Sequence, residues 1–386
     1  MLISFLPALN GDCILLTSNE GNVLIDGGYV NTYNDYLKNR LIELSDKNQF
    51  LSLCVVTHID SDHISGIVKL FEENRNNEIV LVKNIWHNSF RHLQQKEHIT
   101  DNITKGNFRF SSYIKEEIKG QVKISGEQGS NLASLISSSQ IAWNKQFNGN
   151  AVEISNPLIE FDNSIKIRLL SPSKDKLELL YKFWKKELYK KGFIENIHTL
   201  DYWDDAFEFL LAKEKQRLKN KQKKISEQEE YDFEKILESP FEIDDSTTNG
   251  SSISFVIEIN DKRFLMLGDA HPDIIVESLK EMYNKFPIQF DLVKLSHHGS
   301  FANNSPELLT MIDSDKFVFS TNGRTYNHPD IETIAWIITK KDERIRTLYF
   351  NYEVSISNEI MNDKYKEKYN YNIVTPEIGE PLEIHF

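Results

Sequence analysis

Short apolar runs broken by turn signals fill the first thirty residues. Leu2–Leu6, Cys13–Thr17 and Asn22–Asp26 are separated by Asn10-Gly11-Asp12 and Glu20-Gly21-Asn22. Turn residues at this spacing predict a meander of antiparallel strands. Asp26-Gly27-Gly28 closes the third run, and the pattern over Tyr33–Ser45 predicts a helix. Leu51–Thr57 is a compact Leu, Val and Cys run, the composition of a buried strand, and it feeds directly into His58. Ser65–Glu73 reads as the next helix and Val80–Trp86 as another strand.

The pattern loosens from about Arg91 to Asn150, where polar Ser- and Asn-rich text carries only helix-like patches. Ser164–Leu170 returns to a strand and Ser171-Pro172-Ser173 stops it. From 174 to 240 the text is helical and strongly charged, which predicts an inserted helical arm. Within it, Lys213–Lys224 holds seven basic residues and one acidic one, either a solvated face or a contact for phosphates or a partner protein. Ser252–Glu258 and Arg263–Leu267 flank the turn Asn260-Asp261-Lys262, a hairpin signature. A helix is expected at Pro272–Asn284 and strands at Leu292–Leu295 and Lys316–Ser320. A helix at Asp330–Lys340 and a late strand at Ile345–Phe350 follow. There is no repeat of fixed period and no long linker, so the economical reading is one α/β domain over 1–386 with an insertion.

Composition narrows this picture. With 386 residues, 40% of them hydrophobic, the chain can bury a large core. No run of about 18 apolar residues occurs, which disfavours a membrane span. The first seven residues lack a basic region and a long apolar stretch, and read as a strand rather than a signal peptide. Cys13 and Cys54, both inside apolar runs, read as reduced core thiols, which fits the cytoplasm. The net charge of −13 disfavours a whole surface that grips nucleic-acid phosphates, but leaves room for a local basic channel. Part of that charge belongs to carboxylates that bound cations would neutralise.

The chemistry concentrates in Thr57-His58-Ile59-Asp60-Ser61-Asp62-His63. Four potential ligands fall within six residues, directly after an apolar strand. In an extended segment His58, Asp60 and Asp62 face one way, and His63 enters from the start of the helix. Imidazole and carboxylate suit Zn²⁺, Mn²⁺ or Fe. Asp62 also suits a helix cap. Asp269 and the pair His297-His298 sit at two further strand ends. Three strand ends that each deliver His or Asp point to one shared site.

These residues resemble the metallo-β-lactamase fold superfamily, whose hallmark is His-x-His-x-Asp-His after a strand. Asp60 stands here where the middle histidine usually stands. That variant is similar to the branch containing the hydrolase-like domain of the ComEC competence proteins. Asn10-Gly11-Asp12, Val23-Leu24-Ile25-Asp26-Gly27-Gly28, Leu267-Gly268-Asp269, Ser296-His297-His298-Gly299-Ser300 and Asn327-His328-Pro329 follow in that branch's order. The resemblance covers roughly 1–90 and 245–335. It implies a four-layer αββα sandwich with two divalent cations, Zn or Mn; departures from the family pattern at Asp60 and upstream of Asp269 leave the first site poorer in nitrogen and open to being weak or empty. His58 and Asp60 would bind one metal, and Asp62 and His63 the second. Asp269 would bridge them, and His298 would complete the second site, with His297 as the alternative. The superfamily's further upstream histidine is missing from Thr247–Ser252, where Asn249 is a weak substitute.

A metal lowers the pKa of bound water from 15.7 to about 7, which supplies hydroxide at neutral pH. Asp62 would orient that nucleophile, and His328 would protonate the leaving group or hold a phosphate oxygen. Asp12 and Asp26 fit either hydrogen bonding to ligand histidines or turn capping. Of the remaining histidines, His271 lies near Asp269 in sequence, while His87, His92, His98 and His198 have no matching context. The expected activity is that of a phosphodiesterase or nuclease in a bacterial defence or DNA-processing system, with nucleic acid as substrate. A small phosphorylated molecule or cyclic nucleotide is the alternative substrate. An interaction subunit with a structural or regulatory metal, docking a protein partner through the helical arm, is the alternative class.

Overall fold

The computed structural model describes residues 1–93, 132–155, 158–161, 164–190 and 230–386. Of the arm expected at 174–240, Lys174–Lys190 is a helix and Phe233–Ile236 a short helical turn. The basic run 213–224, His98 and His198 lie outside the described residues.

Two sheets carry the fold. Leu2–Phe5, Ile14–Thr17 and Asn22–Ile25 form the expected antiparallel meander. Leu51–Val55 and Asn84–Trp86 then add in parallel, and Leu382–His385 closes the other edge beside Leu2–Phe5. The second sheet pairs Ser254–Ile259 with Lys262–Met266 as the expected hairpin. Leu292–Lys294, Lys316–Phe319, Arg346–Phe350 and Tyr371–Val374 follow in parallel. Ile165–Ser171 and Ile159–Phe161 complete its other side.

Strand alternation explains the layering. Ile3, Phe5, Ile14, Leu16, Val23 and Ile25 pack with Phe255, Ile257, Phe264 and Met266 between the sheets. The alternate residues Leu15, Leu24 and Cys54 face outward onto Leu41, Ile67 and Leu70 of the helices Lys38–Asp46 and Ser61–Asn74. On the far side Val256, Leu265 and Val293 meet Ile275, Leu279, Ile334 and Ile338 of Pro272–Met282 and Ile331–Ile338. Each fully buried side chain of this size contributes about 1.5–3 kcal/mol relative to exposure. Helix, sheet, sheet, helix is the αββα sandwich that the sequence led us to expect. Cys13 and Cys54 are buried free thiols. Among the described residues no helix is long and apolar enough to cross a membrane.

One local expectation needs correction. The helix after His58 begins at Ser61, not Ser65, so Asp62 and His63 both lie in its first turn. The backbone N–H groups of His63 and Ile64 both donate to the carbonyl of Asp60, at 2.9 and 3.0 Å. Apolar periodicity starts only at Ile64, which hides a helical turn made of polar residues. Asp60 is the N-cap by backbone geometry, and no side chain caps this helix, so the capping role weighed for Asp62 is not used.

Candidate metal centre

Parallel strands end on one edge of the sandwich, and their ends bring the distant motifs together. His58 follows Leu51–Val55, Asp269 follows Lys262–Met266, and the histidine pair follows Leu292–Lys294. Asp269 is the hub. Its Oδ2 lies 3.6 Å from His58 Nε2, 3.6 Å from His63 Nε2, 3.8 Å from His298 Nε2 and 3.9 Å from His297 Nε2. Asp60 Oδ2 lies 3.2 Å from His58 Nε2. Asp62, His63 and His298 each bring a ligand atom within 4.8 Å of the others. All six residues named as ligands therefore converge, and His297 joins them. His297 and His298 both have left-handed backbone angles (φ 43° and 59°), a conformation uncommon outside glycine, at the point where the chain leaves the strand.

Close backbone approach makes this convergence possible. A Cβ on Gly11 would stand 1.8 Å from the carbonyl oxygen of Asp62, so only glycine fits there. That approach lets Asn10 Nδ2 donate to Asp62 Oδ2 at 2.5 Å.

A second layer fixes the imidazoles. Asp26 leaves its strand with φ 56° and accepts from the Thr57 backbone N–H at 2.7 Å and from Thr57 Oγ1 at 2.6 Å. His63 Nδ1 donates to the same carboxylate at 2.8 Å. Because Thr57 Oγ1 gives its proton to Asp26, it accepts from His58 Nδ1 at 3.0 Å. One aspartate thus commits both histidines to protonation at Nδ1 and turns both Nε2 lone pairs toward Asp269. Of the two roles considered for Asp26, this one is present.

Asp12 sits on the other side. It pairs with Lys294 Nζ, and its Oδ1 lies 3.9 Å from His298 Nδ1. Lys294 is 1% exposed and also donates to the Gly268 carbonyl at 3.1 Å. Sequence reasoning misses Lys294, although a lone lysine in the apolar run Leu292-Val293-Lys294-Leu295 is a visible signal. Asp244 was missed as well, because the polar stretch around it has no motif. Its Oδ2 accepts from Asn249 Nδ2 at 2.7 Å and Asn303 Nδ2 at 2.9 Å.

The remaining histidines divide. His328 is close, its ring centroid 5.3 Å from that of His297, and Asp330 Oδ1 holds its Nδ1 at 3.1 Å. His271 stands beside Asp244, with 3.6 Å between Nε2 and Oδ2, and makes no ligand group with Asp269. His87 and His92 pack on Trp143, and burial lowers the pKa of His92 to about 3.

The electrostatics fit a cation. His58 Nε2, His63 Nε2 and both oxygens of Asp269 are buried with no hydrogen-bond partner among the described residues. Leaving such atoms unsatisfied costs about 1–3 kcal/mol each, more when charged. A divalent ion satisfies all of them at once. Burial opposes ionisation of Asp269, yet the imidazoles of His298, His63, His297 and His58 hold its carboxyl well below the usual range. Burial also opposes protonation of His63, and the carboxylates of Asp269 and Asp26 outweigh it, raising that pKa to about 10, so a proton holds Nε2 until a cation displaces it. Burial keeps His298 well below its ordinary value, ready to offer a lone pair.

Residues 6–112, which contain Asp26 and the whole His58–His63 segment, match the family model of the metallo-beta-lactamase superfamily. No curated protein matches the chain. The αββα fold and the match together point to a metal-dependent hydrolase as the class of protein.

Proposed function

We propose that the chain is a two-metal phosphodiesterase, acting on nucleic acid, with its centre at His58, Asp60, Asp62, His63, Asp269 and His298. The supporting observation is the charge of the buried centre. Asp12, Asp26, Asp60, Asp62 and Asp269 are each at most 2% exposed, and Lys294 is the buried ammonium beside them. With the imidazoles neutral, as metal ligation requires, five carboxylates against one ammonium leave four negative charges, which two divalent cations neutralise. Buried charge without compensation is prohibitively costly, so this balance favours two ions over one.

Bound divalent cations of the Zn or Mn type supply activation of water and neutralisation of a phosphoryl oxygen. The protein's part is orientation. Asp26 presents His58 through the Thr57 hydroxyl and His63 directly through its own hydrogen bond. Asn10 fixes the Asp62 carboxylate, which orients it toward the metals and the attacking water. His328 is braced by Asp330, whose Oδ2 is itself held by the Phe301 N–H at 2.7 Å. An imidazole braced in this way protonates the leaving oxygen. The resemblance to the ComEC hydrolase branch favours a nucleic-acid phosphodiester over a small phosphorylated molecule.

The test compares wild type, Asp62→Ala and His63→Ala on linear DNA, RNA and bis-p-nitrophenyl phosphate with Mn²⁺ or Zn²⁺. Hydrolysis by wild type that both variants lose is the expected result. A metal-loaded wild type that cleaves none of these phosphodiesters would sink the proposal, as would variants that cleave equally well.

A further inference from the structure

His297 is the member of the histidine pair that the ligand set above does not use, yet it is the more elaborately held. Its Nδ1 lies 2.9 Å from Asn303 Oδ1 and 3.4 Å from Asn249 Nδ2, whose amide is already committed to Asp244 at 2.7 Å, so the shorter contact with Asn303 sets the proton. The orientation of that carboxamide follows from its other contacts. Asn303 Nδ2 lies 2.9 Å from Asp244 Oδ2 and 3.2 Å from the Asp269 carbonyl oxygen, both of which only accept. The amide nitrogen must face them, so the oxygen faces His297 and accepts from Nδ1–H. Nε2 then carries the lone pair, and it points at Asp269 Oδ2 from 3.9 Å.

Asp244 anchors this arrangement. The same carboxylate oxygen takes the Asn249 amide at 2.7 Å, which leaves Asn249 Oδ1 buried and without a hydrogen-bond partner among the described residues. Its other oxygen accepts from the Ser246 N–H at 2.9 Å, and its own N–H donates to the Ala302 carbonyl at 3.1 Å. The carboxylate is therefore fixed on both oxygens and at its backbone. Two amides, those of Asn249 and Asn303, donate to Oδ2, and the rings of His271 and His297 stand farther off, with Nε2 at 3.6 Å and Nδ1 at 4.0 Å. The device parallels Asp26, which sets His58 through a hydroxyl relay; here the relay is an amide.

We propose that Asp244 is a positioning residue of the metal centre, acting through Asn303 to hold His297 protonated at Nδ1 and to present its Nε2 as a nitrogen ligand beside Asp269. This rests on the metal-centre reading above. It gives the centre a nitrogen donor beyond the six ligands named above, on the side that carries Asn249. Outer-shell partners of ligating histidines are typically worth about 10–100-fold in metal affinity.

The experiment reads the tautomer directly. Protein carrying ¹⁵N-labelled histidine is prepared metal-free, and long-range ¹H–¹⁵N correlations distinguish Nδ1–H from Nε2–H for each ring. His297→Gln assigns the resonance. Wild type is expected to show His297 as Nδ1–H. Asp244→Asn, which places an amide against amides, is expected to shift it toward Nε2–H and weaken Zn²⁺ retention against a chelator by about 10–100-fold. Asn303→Ala, which removes the relay alone, is expected to do the same while His63 stays Nδ1–H. If Asp244→Asn fails to fold, Asn303→Ala carries the test. A wild-type Nε2–H form of His297 would overturn the proposal. So would variants that keep the wild-type tautomer, even with weaker metal binding. Absence of hydrolysis with the tautomer as described would count against the phosphodiesterase reading alone.

Discussion

Asp26 and His63 meet at 2.8 Å where the third strand and the ligand-bearing helix converge, and this contact organises half the centre. The same carboxylate holds Thr57 twice, and Thr57 in turn holds His58. Asp26→Ala is expected to weaken metal binding about 10–100-fold with the ligands themselves untouched. Isothermal titration with Zn²⁺ and Mn²⁺ checks this. Equal affinity in variant and wild type would show that the Asp26 contacts only brace the turn.

Lys294 is expected to matter for stability as well as for charge. Removing it leaves Asp12 as an uncompensated buried carboxylate, with an expected cost of about 3–5 kcal/mol for Lys294→Met. Pairing it with Asp12→Asn removes both charges and is expected to recover much of that loss. Urea unfolding of the single and double variants measures the coupling. A double variant no more stable than Lys294→Met alone would contradict the pairing.

A pH effect is expected far from the centre. Burial lowers the pKa of Lys340 from its ordinary 10.5 to about 8, against the opposing pull of Asp313. Between those values the unfolded chain binds a proton that the folded protein does not, so this group makes stability rise with pH. Below about pH 8 the ammonium is charged in both states, and its burial penalty is fully present. The unfolding free energy of wild type minus that of Lys340→Met is therefore expected to increase from pH 7.5 to pH 10. A flat or falling difference would refute the assignment.

Much of this was legible in the chain because the fold is built from strands whose alternation is plain. Ile14, Leu16, Val23 and Ile25 face the inter-sheet core, as their spacing requires. The candidate ligands were legible because they cluster just after apolar strands, so topology alone gathers them. What sits around the ligands was harder to read. Asp244 lies in a polar stretch with no periodicity, and only the folded chain sets it against Asn303 and Asn249. The early start of the Ser61 helix was hidden because its first turn is made of site residues rather than core residues. The C-terminal strand Leu382–His385 closes the first sheet beside Leu2–Phe5, a pairing of opposite chain ends that no local pattern announces.

Metal removal is expected to act on the whole domain. An ion that binds only the folded chain stabilises it by about 2.7 kcal/mol when present at 100 times its dissociation constant. Chelation is therefore expected to lower the melting temperature of wild type, and to change that of Asp269→Ala far less. Identical responses to chelator in the two proteins would place any bound metal elsewhere.

The most direct test of the centre is the metal content of the purified protein after loading with Zn²⁺ or Mn²⁺ and desalting. Elemental analysis is expected to find close to two ions per chain in wild type, as the proposed two-metal centre implies, and a clear loss in Asp269→Ala, which removes the carboxylate at its hub. A wild type that retains no divalent ion, or an Asp269→Ala variant that retains as much as wild type, would contradict the account.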